Sequence, residues 1–215
     1  MFPGSLYRSL TRAHFAIMTL GVMAFGCVDP VGDFDEYQAL AKGKAPQQTS
    51  SCLPAPTEGD FDVSGTFVGY CKVNFADPSQ ALLLGAQFAL KDGVLEATLT
   101  PLLIDAPSLN ATAGDPPVTT SAPVTGNQFS MDFGLVKISG KANPISGSDI
   151  EIGGAVFKGV VVSKDKVLAD LDGGLVKPFV LDLNASNNDV CIFLRSPDGV
   201  AMPTRPEAAD FACVK

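Results

Sequence analysis

Ala86-Gln87-Phe88-Ala89-Leu90-Lys91-Asp92-Gly93-Val94-Leu95-Glu96-Ala97-Thr98-Leu99 decides how this chain is read. Asp-Gly is the dipeptide that closes two-residue β-hairpins, because both central residues of a type I′ turn need positive φ. Folding about Asp92-Gly93 sets Leu90 opposite Leu95, Phe88 opposite Ala97 and Ala86 opposite Leu99. All six fall on one face, so turn chemistry and hydrophobic pattern agree on a single register. Asp77-Pro78 could instead start a helix running to Leu90. The hairpin settles the reading in favour of a strand.

Outward from the hairpin the period stays at two. Phe61, Val63, Phe67, Cys71, Val73 and Phe75 share one face, with Asp62, Ser64, Thr66, Lys72 and Asn74 on the other. Val68 and Tyr70 interrupt the polar face. Residues 105–127 read as a long linker, where Pro116-Pro117 rules out a helix. Further runs follow at 129–133, 135–139, 150–152, 155–162, 167–171, 176–183 and 190–194. Short strands punctuated by Gly, Pro, Asn and Asp turns predict an all-β fold, a single antiparallel β-sandwich or barrel over residues 61–215.

The N-terminus has a different grammar. Arg8 and Arg12 precede an 11-residue, largely apolar run from Phe15 to Phe25, which ends at Gly26-Cys27. That order of charged, apolar and small residues is a secretory signal peptide over residues 1–26. The run is too short to span a bilayer, which takes ~20 apolar residues. Because a cysteine follows the cut, Ala24-Phe25-Gly26-Cys27 resembles the lipobox of bacterial lipoproteins. The resemblance implies that Cys27 is acylated on its thiol and amine and becomes the new N-terminus. Ala24 and Gly26 also fit an ordinary A-x-A-like site, which would leave the thiol free.

Cysteine parity favours the lipobox. Of five cysteines, acylating Cys27 leaves Cys52, Cys71, Cys191 and Cys213, an even set in a compartment that permits disulfides. Three connectivities are possible. Cys52–Cys71 with Cys191–Cys213 is preferred, since each bridge would pin a domain end to a nearby strand. Cys52–Cys213 with Cys71–Cys191 is the alternative.

Residues 27–60 carry the lipidated cysteine and a tether rich in Asp, Gly, Pro, Gln, Thr and Ser, a composition that cannot bury a core. Within it, Asp33 to Gly43 has a capping-box spacing at Asp33/Glu36 and apolar residues at 34, 37 and 40, so a short helix is expected there.

Cleavage removes His14, the only histidine, together with Arg8 and Arg12, and moves the formal charge from −8 to −10. Without imidazole there is no Ser–His–Asp or Cys–His catalysis and no zinc site on His ligands. An acidic chain lacking a basic patch is repelled by nucleic-acid phosphates. No enzyme, cofactor or metal site is therefore expected.

Other motifs dissolve on inspection. Gly134 to Lys141 has five residues between its glycines, and Ala142 stands where a phosphate loop needs Ser or Thr; it reads as a strand ending at Gly140. Asp170-Leu171-Asp172-Gly173-Gly174 hints at calcium, but too few oxygen ligands follow, and a β-turn is the plainer reading. Asp60/Asp62 and Asp182/Asp189 read as solvated strand ends, not catalytic pairs. Asn110-Ala111-Thr112 and Asn184-Ala185-Ser186 match the glycosylation triplet, and Asn184 to Asn188 suits a polar hairpin tip.

Cys27-Val28-Asp29-Pro30, the Gly32-Asp33-Phe34-Asp35 island and the cysteine-bearing β domain together resemble uncharacterised myxobacterial lipoproteins. That resemblance implies a location at the cell envelope, anchored by lipid on the non-cytoplasmic side. Val28 in place of Asp directly after the cysteine implies the outer membrane. Two function classes follow: a non-enzymatic binding or structural module with an envelope partner, or a lipocalin-like carrier of a small apolar ligand. A filled interior would favour the first and a roomy one the second.

Overall fold

The computed structural model describes residues 53–56, 59, 61–178, 180–183 and 189–211, all within the compact unit Pro46–Lys215. The signal peptide, Cys27, the Asp33–Gly43 island, Cys52, Cys213 and the Asn184–Asn188 tip lie outside these residues.

The decisive hairpin forms as its sequence requires. Strand β2 (Leu82–Lys91) pairs with β3 (Val94–Pro101), with Leu90 opposite Leu95, Phe88 opposite Ala97 and Ala86 opposite Leu99. Asp92 and Gly93 both take positive φ, 52° and 75°, the type I′ signature. The competing helix shrinks to one 3-10 turn, Pro78–Gln80. The Asp77 side chain caps it, accepting from the Ser79 N–H, while Gln80 answers back to the Asp77 N–H.

Strand β1 (Gly65–Lys72) precedes this pair. Strands β4 (Val118–Pro123), β5 (Gln128–Ile138), β6 (Ile150–Ser163), β7 (Lys166–Lys177), β8 (Leu181–Leu183) and β9 (Val190–Arg195) follow it. The sheet order is β4-β3-β2-β1-β9-β7-β6-β5, every pairing is antiparallel, and β8 pairs with β7 alone. Consecutive strands are thus neighbours from β1 to β4 and from β5 to β8, and β9 closes back between β7 and β1. Because β4 and β5 also run side by side, the sheet curls into a nearly closed barrel.

The long linker expected over residues 105–127 contains a strand. Val118-Thr-Thr-Ser-Ala-Pro carries too few large apolar residues to announce itself, yet it pairs along β3 from Val118 to Pro123. A second type I′ turn, at Gly126-Asn127 (φ 57° and 63°), follows it. Runs that read as separate strands at 129–133 and 135–139, and at 150–152 and 155–162, are single strands broken by bulges around Gly134 and Gly153. Bulges bend a strand and increase its twist, as closing a barrel demands.

The barrel interior is apolar throughout. Phe67, Phe88, Phe157 and Phe193 form a chain of rings with centroids 5.0–6.0 Å apart, and Phe129, Met131 and Leu95 fill the remainder. Eight strands leave an interior that side chains can just fill when large residues face small ones. That pairing is visible here: Phe193 lies opposite Gly69 and Phe129 opposite Gly159. A Cβ added at Gly159 would sit 2.0 Å from Phe129 Cζ, and one at Gly69 would sit 2.5 Å from Phe193 Cε1.

A second cluster packs outside the barrel. Val68, Tyr70, Leu83, Val190 and Ile192 point away from the lumen and are covered by Leu102 and by Phe211 at the end of a C-terminal strap. The strap is tied by Tyr70 Oη–H to the Pro203 carbonyl (3.1 Å) and by Arg205 to the Ser79 carbonyl (2.7 Å). This explains why Val68 and Tyr70 break the polar face of β1: that strand is buried on both sides.

Candidate functional site

Cys71 and Cys191 are directly opposed on β1 and β9, with Cα atoms 4.0 Å apart, and form a disulfide inside the barrel. Both are buried, at 5% and 0% exposure. This corrects the preferred pairing, since Cys71 cannot also bridge to Cys52, nor Cys191 to Cys213. Sequence proximity was the wrong guide. In a meander whose last strand returns to its first, residues 120 apart in sequence become neighbours.

Cys71 of the disulfide lines a small, partly open apolar pocket of about 30 Å³. That is several times smaller than the roughly 150 Å³ of a dry cavity that binds benzene, and the aromatic and aliphatic side chains of the core cluster fill the interior around it. Leu84, Leu99 and Leu171 form one wall; Pro116 and Val118 on the β4 side and Phe133, Val136 and Ile138 on β5 form the other. The second wall is the seam where the barrel fails to close. β4 and β5 share a bridge only at the turn, where Thr125 and Gln128 exchange backbone hydrogen bonds of 2.9 and 3.1 Å. At the far end a side-chain clasp replaces the ladder. The Asp115 carboxylate accepts from the Ser139 N–H (3.1 and 3.2 Å) and from the Ser139 hydroxyl (2.8 Å).

A larger concavity of about 740 Å³ lies at the end of the barrel that carries both type I′ turns. Phe61, Val63, Leu90, Val124 and Val161 line it, and Asn127 Nδ2 crosses its edge to the Gly59 carbonyl (2.9 Å). It is wide open, so most of that volume is bulk solvent. Beside it, Arg195 lies 4.6 Å from the Phe67 ring centroid and donates to the carbonyls of Ser64 and Asp62 and to Asp165. These contacts tie the segment entering β1 to the β6–β7 turn. Of the hairpin's inward residues, Phe88 and Leu95 are sealed in the core, whereas Leu90 reaches this concavity.

The acidic motif is not a turn. Asp170 and Asp172 lie within β7, where Asp170 is buried and Asp172 pairs with Lys158 on β6. Among the described residues, no three acidic, Cys or His side chains are grouped to hold a metal ion. Asp189 is not a solvated strand end either: it is buried and accepts from the Asn74 N–H (2.8 Å). Its partner in the suggested pair, Asp182, is exposed on β8. Asn110 is exposed in a turn. The phosphate-loop look-alike places Gly134 in a β5 bulge, and the strand ends at Ile138, before Gly140.

On the outer surface Glu151 is flanked by Lys177 (3.0 Å) and Lys137 (3.6 Å), which hold its carboxyl below the usual range, the Lys177 hydrogen bond foremost. Exposed pairs of this kind are worth little. Among the described residues, the interior cluster is apolar apart from the disulfide. Compared with protein-family models, curated proteins and solved structures, the chain matches none.

Proposed function

We propose that this chain is a lipid-anchored protein of the cell envelope, held at the outer membrane through Cys27, whose barrel is a non-enzymatic scaffold working through its outer surface. The observation that carries the scaffold reading is the interior: aromatic rings and a disulfide fill it down to about 30 Å³. A dry engineered cavity that binds benzene is roughly 150 Å³, several times larger. The anchor rests on the signal-like N-terminus and on cysteine parity. With Cys71 and Cys191 bridged, Cys27, Cys52 and Cys213 remain, an odd set that acylating Cys27 would make even.

A second reading, a carrier for a small apolar ligand, is favoured by one feature: the unladdered seam stands directly over the apolar void. Metabolic labelling with a fatty-acid analogue tests the anchor. Label is expected on the wild type and absent from Cys27→Ser; equal labelling of both refutes it. Thermal shift against calcium, zinc and a panel of lipids separates scaffold from carrier. A ligand at 100 times its Kd adds ~2.7 kcal/mol, well within resolution. Stabilisation by lipid alone moves the reading to the carrier.

A further inference from the structure

We infer that one end of the barrel, the rim formed by its four long connections, is a docking surface for a lipid bilayer, which it enters through apolar loop tips. This is the outer surface through which the lipid-anchored scaffold proposed above works, and its assignment rests on that reading.

The two ends of the barrel are built differently. At one end short turns join the strands: Asp92-Gly93, residues 124–127 and Lys164-Asp165. The register gathers the longer connections 73–81, 102–117, 139–149 and 178–189 at the other. Exposed large hydrophobic side chains follow that division. Phe75, Leu103 with Ile104, Ile145 and Val180 place at least one on every long connection, and Phe75 and Val180 are more than half exposed (53% and 65%). Leu135 and Val176 join them near the ends of β5 and β7. Of the other exposed ones among the described residues, Val94 flanks the Asp92-Gly93 turn and Val200 lies on the strap. Single exposed aliphatic residues are ordinary, but their gathering at one end, on every loop, marks a contact surface.

The loops hold these tips on a fixed frame. Asp77 accepts from the Ser79 N–H and Asp149 from the Gly140 N–H, both at 2.8 Å, each bracing its own loop. Asp189 accepts from the Asn74 N–H (2.8 Å) and Asp115 from the Ser139 N–H (3.2 Å), each joining two loops. The Ile104 N–H on the Lys141 carbonyl (3.2 Å) adds a further tie. These carboxylates are thus engaged within the rim, while the apolar tips are uncovered. Two features select a bilayer over a protein partner. The tips are spread around a rim on separate loops, which suits a plane, whereas a protein hot spot is a compact cluster rich in Trp, Tyr and Arg. Here Phe75 is the one aromatic residue among the described exposed tips. The second feature is where the rest of the chain leads. Cys27 is the proposed lipid anchor, and residues 28–60 scale as a coil of roughly 30 Å. A short flexible tether holds its partner at an effective concentration on the order of millimolar, so contacts too weak to bind alone suffice. Lys141 and Lys177 are exposed at the rim together with Asp105 and Asp182, so its charge is mixed. It therefore fits zwitterionic headgroups, with affinity set by the apolar area it buries.

The chain contains no tryptophan, so a single one introduced at a loop tip reports without background. The mature chain, carrying Cys27→Ser and an N-terminal hexahistidine tag, is held on phosphatidylcholine vesicles by a nickel-chelating lipid, which replaces the acyl anchor. Phe75→Trp and Val180→Trp report the rim, and Val94→Trp reports the opposite end. All three side chains are exposed, so the barrel core is untouched. Brominated phosphatidylcholine is expected to quench the rim reporters at least threefold more than Val94→Trp, with a blue shift of their emission. Quenching should persist in 1 M salt, which screens charge but not apolar insertion. Adding Ile104→Ser and Ile145→Ser to Phe75→Trp should remove most of it. Equal quenching at both ends, or none at the rim, overturns the docking surface, and loss of rim quenching in high salt overturns its apolar mode. Because nickel replaces acylation, the two claims fail separately. A labelled chain whose rim is not quenched keeps the anchor and loses the docking surface; a quenched rim in a chain that takes no fatty-acid label does the reverse.

Discussion

Replacing Cys71 and Cys191 together by alanine tests whether the barrel depends on the bond that joins its first and last strands. The two residues are 120 apart in sequence. For a loop of that size the chain-entropy relation gives ~5 kcal/mol of stabilisation, all of it from the unfolded state. Measured losses on removing a native bridge from a small exported domain run ~2–5 kcal/mol, so a loss of about 3–5 kcal/mol is expected. The substitution also deletes two buried sulfur atoms beside an existing void, which adds to the loss and not to the gain. Urea unfolding under non-reducing conditions is the assay, with wild type and variant fitted to a common slope. In a domain of this size the melting temperature should fall by roughly 10 °C. The wild type should resist reductant while native, since both sulfurs are buried, and become reducible as denaturant is added. A loss below ~1 kcal/mol would refute the claim that closing β1 onto β9 limits the unfolded ensemble.

Gly159→Ala should cost ~1–3 kcal/mol, the range for overpacking, because the new methyl would meet the Phe129 ring at 2.0 Å. Combining it with Phe129→Leu should recover part of that loss, and strict additivity of the two would argue against their contact. Tyr70 gives the pH prediction. Burial raises its phenol above the ordinary value of 10.0, with Arg205 opposing the rise. The neutral phenol is thus favoured in the folded state. Its contribution is fully present below pH 10 and is lost as pH rises through the raised value. Melting curves from pH 8 to 11 should show a steeper alkaline fall for wild type than for Tyr70→Phe; parallel curves would show that the strap contact is not linked to ionisation.

How much was legible before folding follows from what each feature depends on. The Asp92-Gly93 hairpin was readable to the residue pair, because a two-residue turn and period-two alternation are both local properties. The class of fold followed from repeating that logic along the chain. β4 escaped because Thr119, Thr120 and Ser121 carry no hydrophobic signal; its strand conformation comes from pairing with β3. The acidic stretch at Asp170 was misread for a related reason. Asp-Gly-Gly favours a turn locally, yet β7 runs straight through it because β6, β8 and β9 all pair along that strand.

The sequence by itself determined the strand alternation, the first hairpin, the single histidine at position 14 and the odd number of cysteines, all of which are counted or read within a few residues. Tertiary structure alone decided which cysteines meet, which strands are buried on both faces, and that the interior is full. Those depend on how a meander curls until its last strand finds its first, a closure set by bulges and by glycines facing aromatic rings across the barrel. The β4–β5 seam belongs to the same category: a gap exists only once the other seven junctions have been made.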